Sequence, residues 1–336
     1  MSMTKSQVME KFTSDQIGVN GLLNANQART FVDEFVREAE ILDLVDIQYK
    51  DNRAGIFYYI DFANPATVSA AEGVEYTDET GALSHTKAEY TVKKRRTQFN
   101  LTWEDIHWTI ENGTYKDHVI ALWMQRWGVD TEILACLGDE DLYGAPATSW
   151  EKLIDINEGW FEQVSAANGA TILDAANLTA SYPTYAMFAT AWNQVPNKYR
   201  KFAKQRYRWL GGTRSAEDYR NYLGSRQTDM GDAILNGKGG LTPCGIPFIN
   251  KNGTDGLAVV PEDQGVGEDE STIILGDPSN FKWIVHREFK LMAEYLRRSD
   301  TFEFTGYMYD DFIVTNHASF VKITGVTANP EWDYSE

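Results

Sequence analysis

Apolar and polar positions alternate with different periods along the chain. The first 26 residues are polar and carry no sustained apolar repeat, so they are expected to form an arm. From Gln27 the pattern changes. Phe31, Val32, Phe35, Val36 and Ala39 recur at helical spacing, which predicts an amphipathic helix. "GIFYYIDFANPATVSA", from Gly55 to Ala70, is rich in β-branched and aromatic residues and predicts a strand, with Pro65 as a break or edge position. A polar stretch with Gly73 and Gly81 has loop chemistry. Period two then returns. Ala88, Tyr90 and Val92 alternate with Lys87, Glu89 and Thr91, whereas Phe99, Leu101 and Trp103 alternate with Gln98, Asn100 and Thr102. The apolar parity switches from even to odd positions across Lys93, Lys94, Arg95 and Arg96. Such a switch needs a bulge, a strong twist or a change in which face is covered. Residues 55–103 therefore predict a long β-hairpin. A strand of about fourteen residues spans roughly 45 Å, and a two-stranded ribbon is marginal alone in water. The sequence shows no obvious third strand for it.

Helical spacing resumes at Tyr115. Val119, Ile120, Trp123, Met124 and Trp127 form a stripe that Ile133, Leu134 and Leu137 extend, and Gly138 is the expected stop. The predicted helix, Tyr115 to Leu137, is about 35 Å long. Residues 143–270 mix helices and strands. "YPTYAMFATAWNQV" predicts a helix with Tyr185, Phe188, Ala189 and Trp192 on one face. "RYRWL" predicts a short strand, "SAEDYRNYLGSR" a helix capped by Ser215, and "LTPCGIPFI" another strand. "EDQGVGEDE" is an acidic loop. Residues 271–336 are β-rich, with turns expected at Gly276–Asp277, Asp300 and Gly306. No fixed-period repeat is present.

Composition narrows the function classes. The 336 residues suggest roughly two domains. Aromatic residues make up 13% of the chain, which suits a protein that buries surface between subunits as well as within one core. The formal net charge of −18 argues against tight non-specific binding to nucleic acid, which requires cations that displace counterions. Cys136 and Cys244 are the only cysteines, too few for a disulfide framework or a four-cysteine zinc site. No run of about 18 apolar residues predicts a transmembrane helix, and the first residues lack the apolar core of a secretory signal.

Catalytic and metal motifs are sparse. No pair among His85, His107, His118, His286 and His317 has a metal-ligating spacing. "DEDLYG", Asp139 to Gly144, is acidic but lacks the ligand alternation and terminal Glu of a calcium loop. "GKGGL" lacks the lysine and hydroxyl placement of a phosphate-binding loop, and no Gly-x-Ser-x-Gly elbow occurs. No cofactor, metal or catalytic residue is assigned. The cations at Lys93–Arg96 admit three readings: a solvated edge that discourages unwanted pairing, a nucleic-acid patch, or contact with an acidic neighbouring subunit. Adjacent strand residues face opposite ways, so the four do not form one patch.

The order of elements resembles the major capsid proteins of tailed bacteriophages, the Hong Kong ninety-seven-type fold, from about Gln27 to Val326. "FNLTWEDIHWTIENGTYKDHVIALWMQRWGVDTEILACLGD" looks like that family's strand, Thr/Ser-x-Glu and long spine helix, with Thr102, Glu104 and Gly138 in place. "GIPFI" resembles a strand of the axial domain. "ILGDPSNFKWIVHREFKLMAEY" resembles the Gly-Asp turn into the peripheral strands, and "DFIVTNHASFVKITGV" the closing strand. The resemblance implies an α+β fold: arm and helix (1–54), E-loop hairpin (55–103), peripheral domain with spine helix (104–142), axial domain (143–270) and returning peripheral strands (271–336). It implies a non-enzymatic shell protein that forms hexamers and pentamers, then an icosahedral capsid around double-stranded DNA without gripping it. It implies assembly in the host cytoplasm and a place in the virion. A separate scaffolding protein and a portal are expected, and a decoration protein is a further partner. The hairpin would lie over a neighbour, which makes Lys93, Lys94, Arg95, Arg96, Tyr58, Phe62, Gly73 and Glu75 the candidate contact residues. Nothing in the sequence locates the acidic catalyst of a Lys–Asn crosslink. The alternatives are an encapsulin shell, of similar fold, and a soluble β-rich enzyme or binding module.

Overall fold

The computed structural model describes residues 41–62, 83–102, 115–142, 144–146, 148–225, 240–249, 271–286 and 290–327. The predicted N-terminal arm, the helix from Gln27 and the acidic loop before Ser271 lie outside them. Two five-stranded sheets and a separate two-stranded ribbon organise the described residues.

The first sheet holds β1 (Asp46–Lys50), β4 (Lys93–Thr102), β9 (Phe281–His286), β10 (Lys290–Leu296) and β11 (Thr301–Val314). β11 is its spine. It pairs antiparallel with β10 and then β9 along one edge, and with the whole of β4 along the other. β1 joins β9 in parallel. The helix α1 (Tyr115–Leu137) packs on this sheet and ends at the predicted residue. Gly138 stops it for a steric reason: its backbone meets Gly159, whose N–H donates to the Gly138 carbonyl at 2.7 Å, and a Cβ would collide there. The short helices α2 (Ser149–Ile154) and α3 (Trp160–Gln163) follow. Trp127 and Leu134 of α1, Trp160 of α3, and Phe281, Trp283 and Phe312 of the sheet share one buried cluster.

The second sheet runs β5 (Thr171–Asp174), β12 (Val321–Val326), β8 (Ser271–Gly276), β6 (Arg208–Leu210), β7 (Phe248–Ile249). Around it lie α4 (Tyr185–Gln194), α5 (Asn197–Arg206) and α6 (Thr213–Gly224). Its core is built from Phe188, Trp209, Tyr219, Phe248 and Ile273. β8 and β12, expected with the peripheral strands beyond residue 271, pair with strands of the middle region instead. The chain crosses between the sheets three times, between β4 and β5, after β8 and before β12. The last two crossings are tied together: Thr315 N–H donates to the Asn280 carbonyl at 3.0 Å, and the Asn280 amide donates to Ser319 Oγ at 3.1 Å.

Several local readings need correction. α4 buries Met187, Phe188 and Ala191, while Tyr185 is exposed, so its inner face is rotated from the predicted one. α6 starts after Gly212, and Ser215 lies inside it with its hydroxyl 2.7 Å from that of Ser271. Only Phe248–Ile249 of "LTPCGIPFI" is strand; Pro243–Gly245 is a turn with Cys244 at φ 54°. Asp300 does turn the chain, at φ 52°. Gly306 lies within β11 and turns nothing. The Trp127 indole packs against it so closely that a Cβ would stand 2.8 Å from the ring.

Candidate subunit interface

The predicted hairpin is two structures in series. β2 (Ala54–Phe62) and β3 (Leu83–Thr91) form the antiparallel ribbon, with Ala54 opposite Thr91 and Phe62 opposite Leu83. One residue later the chain leaves the ribbon and becomes β4 of the first sheet. Val92 is the joint. It is buried with Tyr90 against Ile284 and Ile313, and its N–H closes the ribbon onto the Arg53 carbonyl at 2.9 Å. The parity switch is thus a change of partner strand, and β11 supplies the third strand that the sequence did not reveal.

The two faces of the ribbon differ. Phe57 and Tyr90 share the inner face, their rings 5.6 Å apart, and Gly55 leaves room for the Tyr90 ring. The outer face presents Ile56, Tyr58 and Ile60, with exposures of 44%, 61% and 56%. Phe62 ends β2. Gly73 and Glu75 lie outside the described residues.

The four cations have different environments. β4 turns its odd positions toward the core, and of these Arg95 and Leu101 are buried. A buried guanidinium needs a counter-charge and full hydrogen bonding. Asp310, wholly buried on β11, provides it. Arg95 Nε donates to Oδ1 at 2.7 Å, Nη2 donates to Oδ2, and Nη1 donates to Thr131 Oγ1 of α1 at 3.1 Å. Trp283 Nε1 donates to the same carboxylate at 3.0 Å, and Asn157 donates to the Asp310 carbonyl at 3.2 Å. The bidentate pair ties β4, β11, β9 and α1 together. Arg95 therefore leaves the set of neighbour-facing candidates: its charge is used inside its own chain. Lys93 is paired with Glu140, also in its own chain. Lys94 lies on the outer face with its Nζ 4.1 Å from the Tyr307 ring centroid. Arg96 is exposed.

Sequence reasoning missed Asp310 and Asp311, although a signal existed. Asp310 falls on the same parity as Phe304, Met308 and Phe312, and Arg95 on that of Leu101, so each charge stands in an apolar row. Asp311 faces the other way and holds the ribbon root. It accepts the Thr91 N–H at 2.7 Å and the Phe312 N–H at 2.8 Å. Burial, and then the charge of Asp310, push its carboxyl up to about 7, against those N–H donors and Lys93.

Among the described residues no three His, Cys, Asp or Glu side chains are grouped to hold a metal ion, the acidic 139–142 stretch included. No described helix is long and apolar enough to cross a membrane. No protein-family model and no curated protein matches the sequence. Solved structures do match it. The satellite phage P4 procapsid, which includes a size determination protein, aligns over 89% of this chain and 99% of its own, with TM-score 0.58 and 13% identity. A Gordonia phage Cozz chain aligns over 84% and 85%, with TM-score 0.53 and 15% identity. The chain has the tailed-phage capsid fold. An encapsulin from Synechococcus elongatus, SrpI in its holo complex, shares this capsid fold over 100% of both chains at TM-score 0.51 and 10% identity. These neighbours of the capsid fold are shell proteins, not enzymes.

Proposed function

We propose that this chain is the major capsid protein of a tailed bacteriophage, assembling as hexamers and pentamers into an icosahedral shell around double-stranded DNA. The ribbon β2–β3 with residues 63–82 is the E-loop, α1 the spine helix, the first sheet the peripheral domain and the second the axial domain. The observation that carries the reading is the outer ribbon face. Ile56, Tyr58 and Ile60 stand in one row and are exposed in the isolated chain. Exposed apolar rows of this kind mark contact surfaces, and in this fold the surface belongs to a neighbouring copy. Tyr58, Phe62, Gly73, Glu75, Lys94 and Arg96 remain contact candidates. A net charge of −18 suits an inner wall that does not grip its cargo. A scaffolding protein, a portal and a decoration protein would be its partners.

The second reading is an encapsulin-type compartment, favoured by the full-length match to SrpI. Negative-stain microscopy of the expressed chain, with and without co-expressed scaffolding protein, tests both. Closed particles are expected, and only a 38.0 kDa species under every condition would overturn both readings. Nuclease-protected DNA in particles from infected cells supports the capsid; particles filled with a host enzyme support the compartment.

A further inference from the structure

β4 pairs with β11, and no described strand pairs with its other edge. Beside that edge lies a cleft of about 280 Å³, bounded by α1 and α2. Arg95, Arg96 and Thr97 all line it. Neighbouring strand residues point to opposite faces, so a surface touched by three in succession runs along the strand's backbone edge. An open edge of this length is normally covered.

The cleft is cationic, in a chain of net charge −18. Arg96, Arg126 and Lys152 stand around it, and Arg126 also lies over the Trp150 ring, 5.1 Å from its centroid. The lining carboxylate, Asp130, is paired with Arg126 at 2.9 Å, and burial raises its pKa. No described carboxylate pairs with Arg96 or Lys152. Trp127, Leu153 and Ile156 supply apolar surface. The site thus offers a backbone edge, unpaired cations and aromatic and aliphatic walls. That combination fits an extended acidic peptide carrying aromatic residues, added as a strand.

The chain contains such a peptide in its last nine residues, "ANPEWDYSE". Glu331 and Asp333 alternate with Trp332 and Tyr334. In an extended strand the two acids share one face and the two rings the other. Pro330 precedes the alternation, where its missing N–H does no harm. The acidic stretch between β2 and β3 holds Glu72, Glu75, Asp78 and Glu79 but one aromatic residue, Tyr76, and so matches the charge without the walls.

We infer that the segment 328–336 of a neighbouring copy docks in the cleft along β4, with Glu331 and Asp333 against Arg96 and Lys152. The inference rests on the capsid reading for the presence of a neighbour. Carbodiimide coupling tests it on the full chain, by joining Lys152 Nζ to a carboxylate in contact with it. Chains labelled with light and heavy nitrogen are mixed before assembly, coupled and mapped by mass spectrometry. The intrachain pairs Lys93–Glu140 and Lys282–Asp46, the latter at 2.5 Å, are internal controls. The expected product joins Lys152 to Glu331 or Asp333 in light–heavy pairs. Arg96→Glu should reduce its yield at least fivefold, and Arg96→Glu with Glu331→Lys should restore coupling through Asp333. Lys152 joined to Glu72, Glu75, Asp78 or Glu79, joined to the tail of its own chain only, or uncoupled while the controls couple, would overturn the docking. Particles seen by microscopy in that same sample would leave the capsid reading standing, so the two failures are separable.

Discussion

At the scale of single residues, the basic strand contains one structural cation. Arg95→Ala leaves Asp310 buried without a counter-charge, which should destabilise the unassembled chain by about 3–5 kcal/mol. Arg95→Lys should recover only part, because an ammonium cannot span both carboxylate oxygens and Thr131 as the planar fork does. Chemical denaturation measures both; losses near those of exposed pairs, about 0.2–1 kcal/mol, would count against the buried network. Asp311 gives a pH-dependent counterpart. With its carboxyl pushed up to about 7, the folded chain binds this proton more tightly than the unfolded chain, whose ordinary value is 3.8. The group therefore opposes folding above pH 7, and its penalty fades as pH falls from about 7 toward 3.8. Asp311→Asn keeps an oxygen for the Thr91 N–H and removes the charge. It should stabilise by about 2–4 kcal/mol at pH 8, with a clearly smaller gain at pH 5, as followed by thermal melts. An equal gain at both pH values would mean that charge is not the cause. Parity in the sequence was enough to see that Lys93–Arg96 could not form one patch. It could not show which of the four turned inward, because that depends on Asp310, 215 residues away.

Among the elements, α1 was legible to its last residue because its stripe is long and Gly138 cannot be passed. β11 was not, because Gly306 reads as punctuation unless the indoles of Trp123 and Trp127 are known to lie over it. A Cβ at 306 would stand 2.8 Å from one ring and 3.1 Å from the other. Gly306→Ala should push α1 off the sheet and destabilise by about 1–3 kcal/mol, with altered near-ultraviolet circular dichroism. An unchanged spectrum and midpoint would show that the helix does not bear on this strand. The second strand of the hairpin was half legible: alternation marked both β3 and β4, but a parity switch alone does not say that the partner has changed. The rotated face of α4 has a simpler cause. Tyr185 opens the helix, where a ring can lie in solvent, while the smaller Ala191 reaches the core.

For the whole molecule, the predictions concern association. Subunits of charge −18 repel, and physiological salt screens that repulsion beyond about 8 Å, so local contacts decide register. Tyr58→Ser with Ile60→Ser removes two side chains of the exposed ribbon face and should leave the circular dichroism of the chain unchanged while particle yield falls severalfold. Normal particles would remove that face from the interface. Lys94→Glu with Arg96→Glu should likewise spare the fold, lower particle yield and leave weak DNA affinity as it was; normal shells with lost DNA binding would favour the nucleic-acid reading. The exposed ribbon face was legible in part, since the consecutive rings of Phe57, Tyr58 and Tyr59 must fall on both faces of a two-stranded ribbon. The cleft beside β4 was not, because Arg96, Arg126 and Lys152 are scattered over three elements.

The joint at Val92 also has a mechanical meaning. A pull on the ribbon enters the first sheet at two points: through β1, paired with β9, and at the Lys93 end of β4, where the rungs are Lys93 opposite Asp310 and Arg95 opposite Met308. A peel starting at Val92 would meet the Arg95–Asp310 pair before it had opened three rungs of a ten-rung ladder. A buried bidentate ion pair thus stands where the load enters through β4. A neighbour tugging on the ribbon would drag the sheet and α1 with it and would not strip β4 from its place.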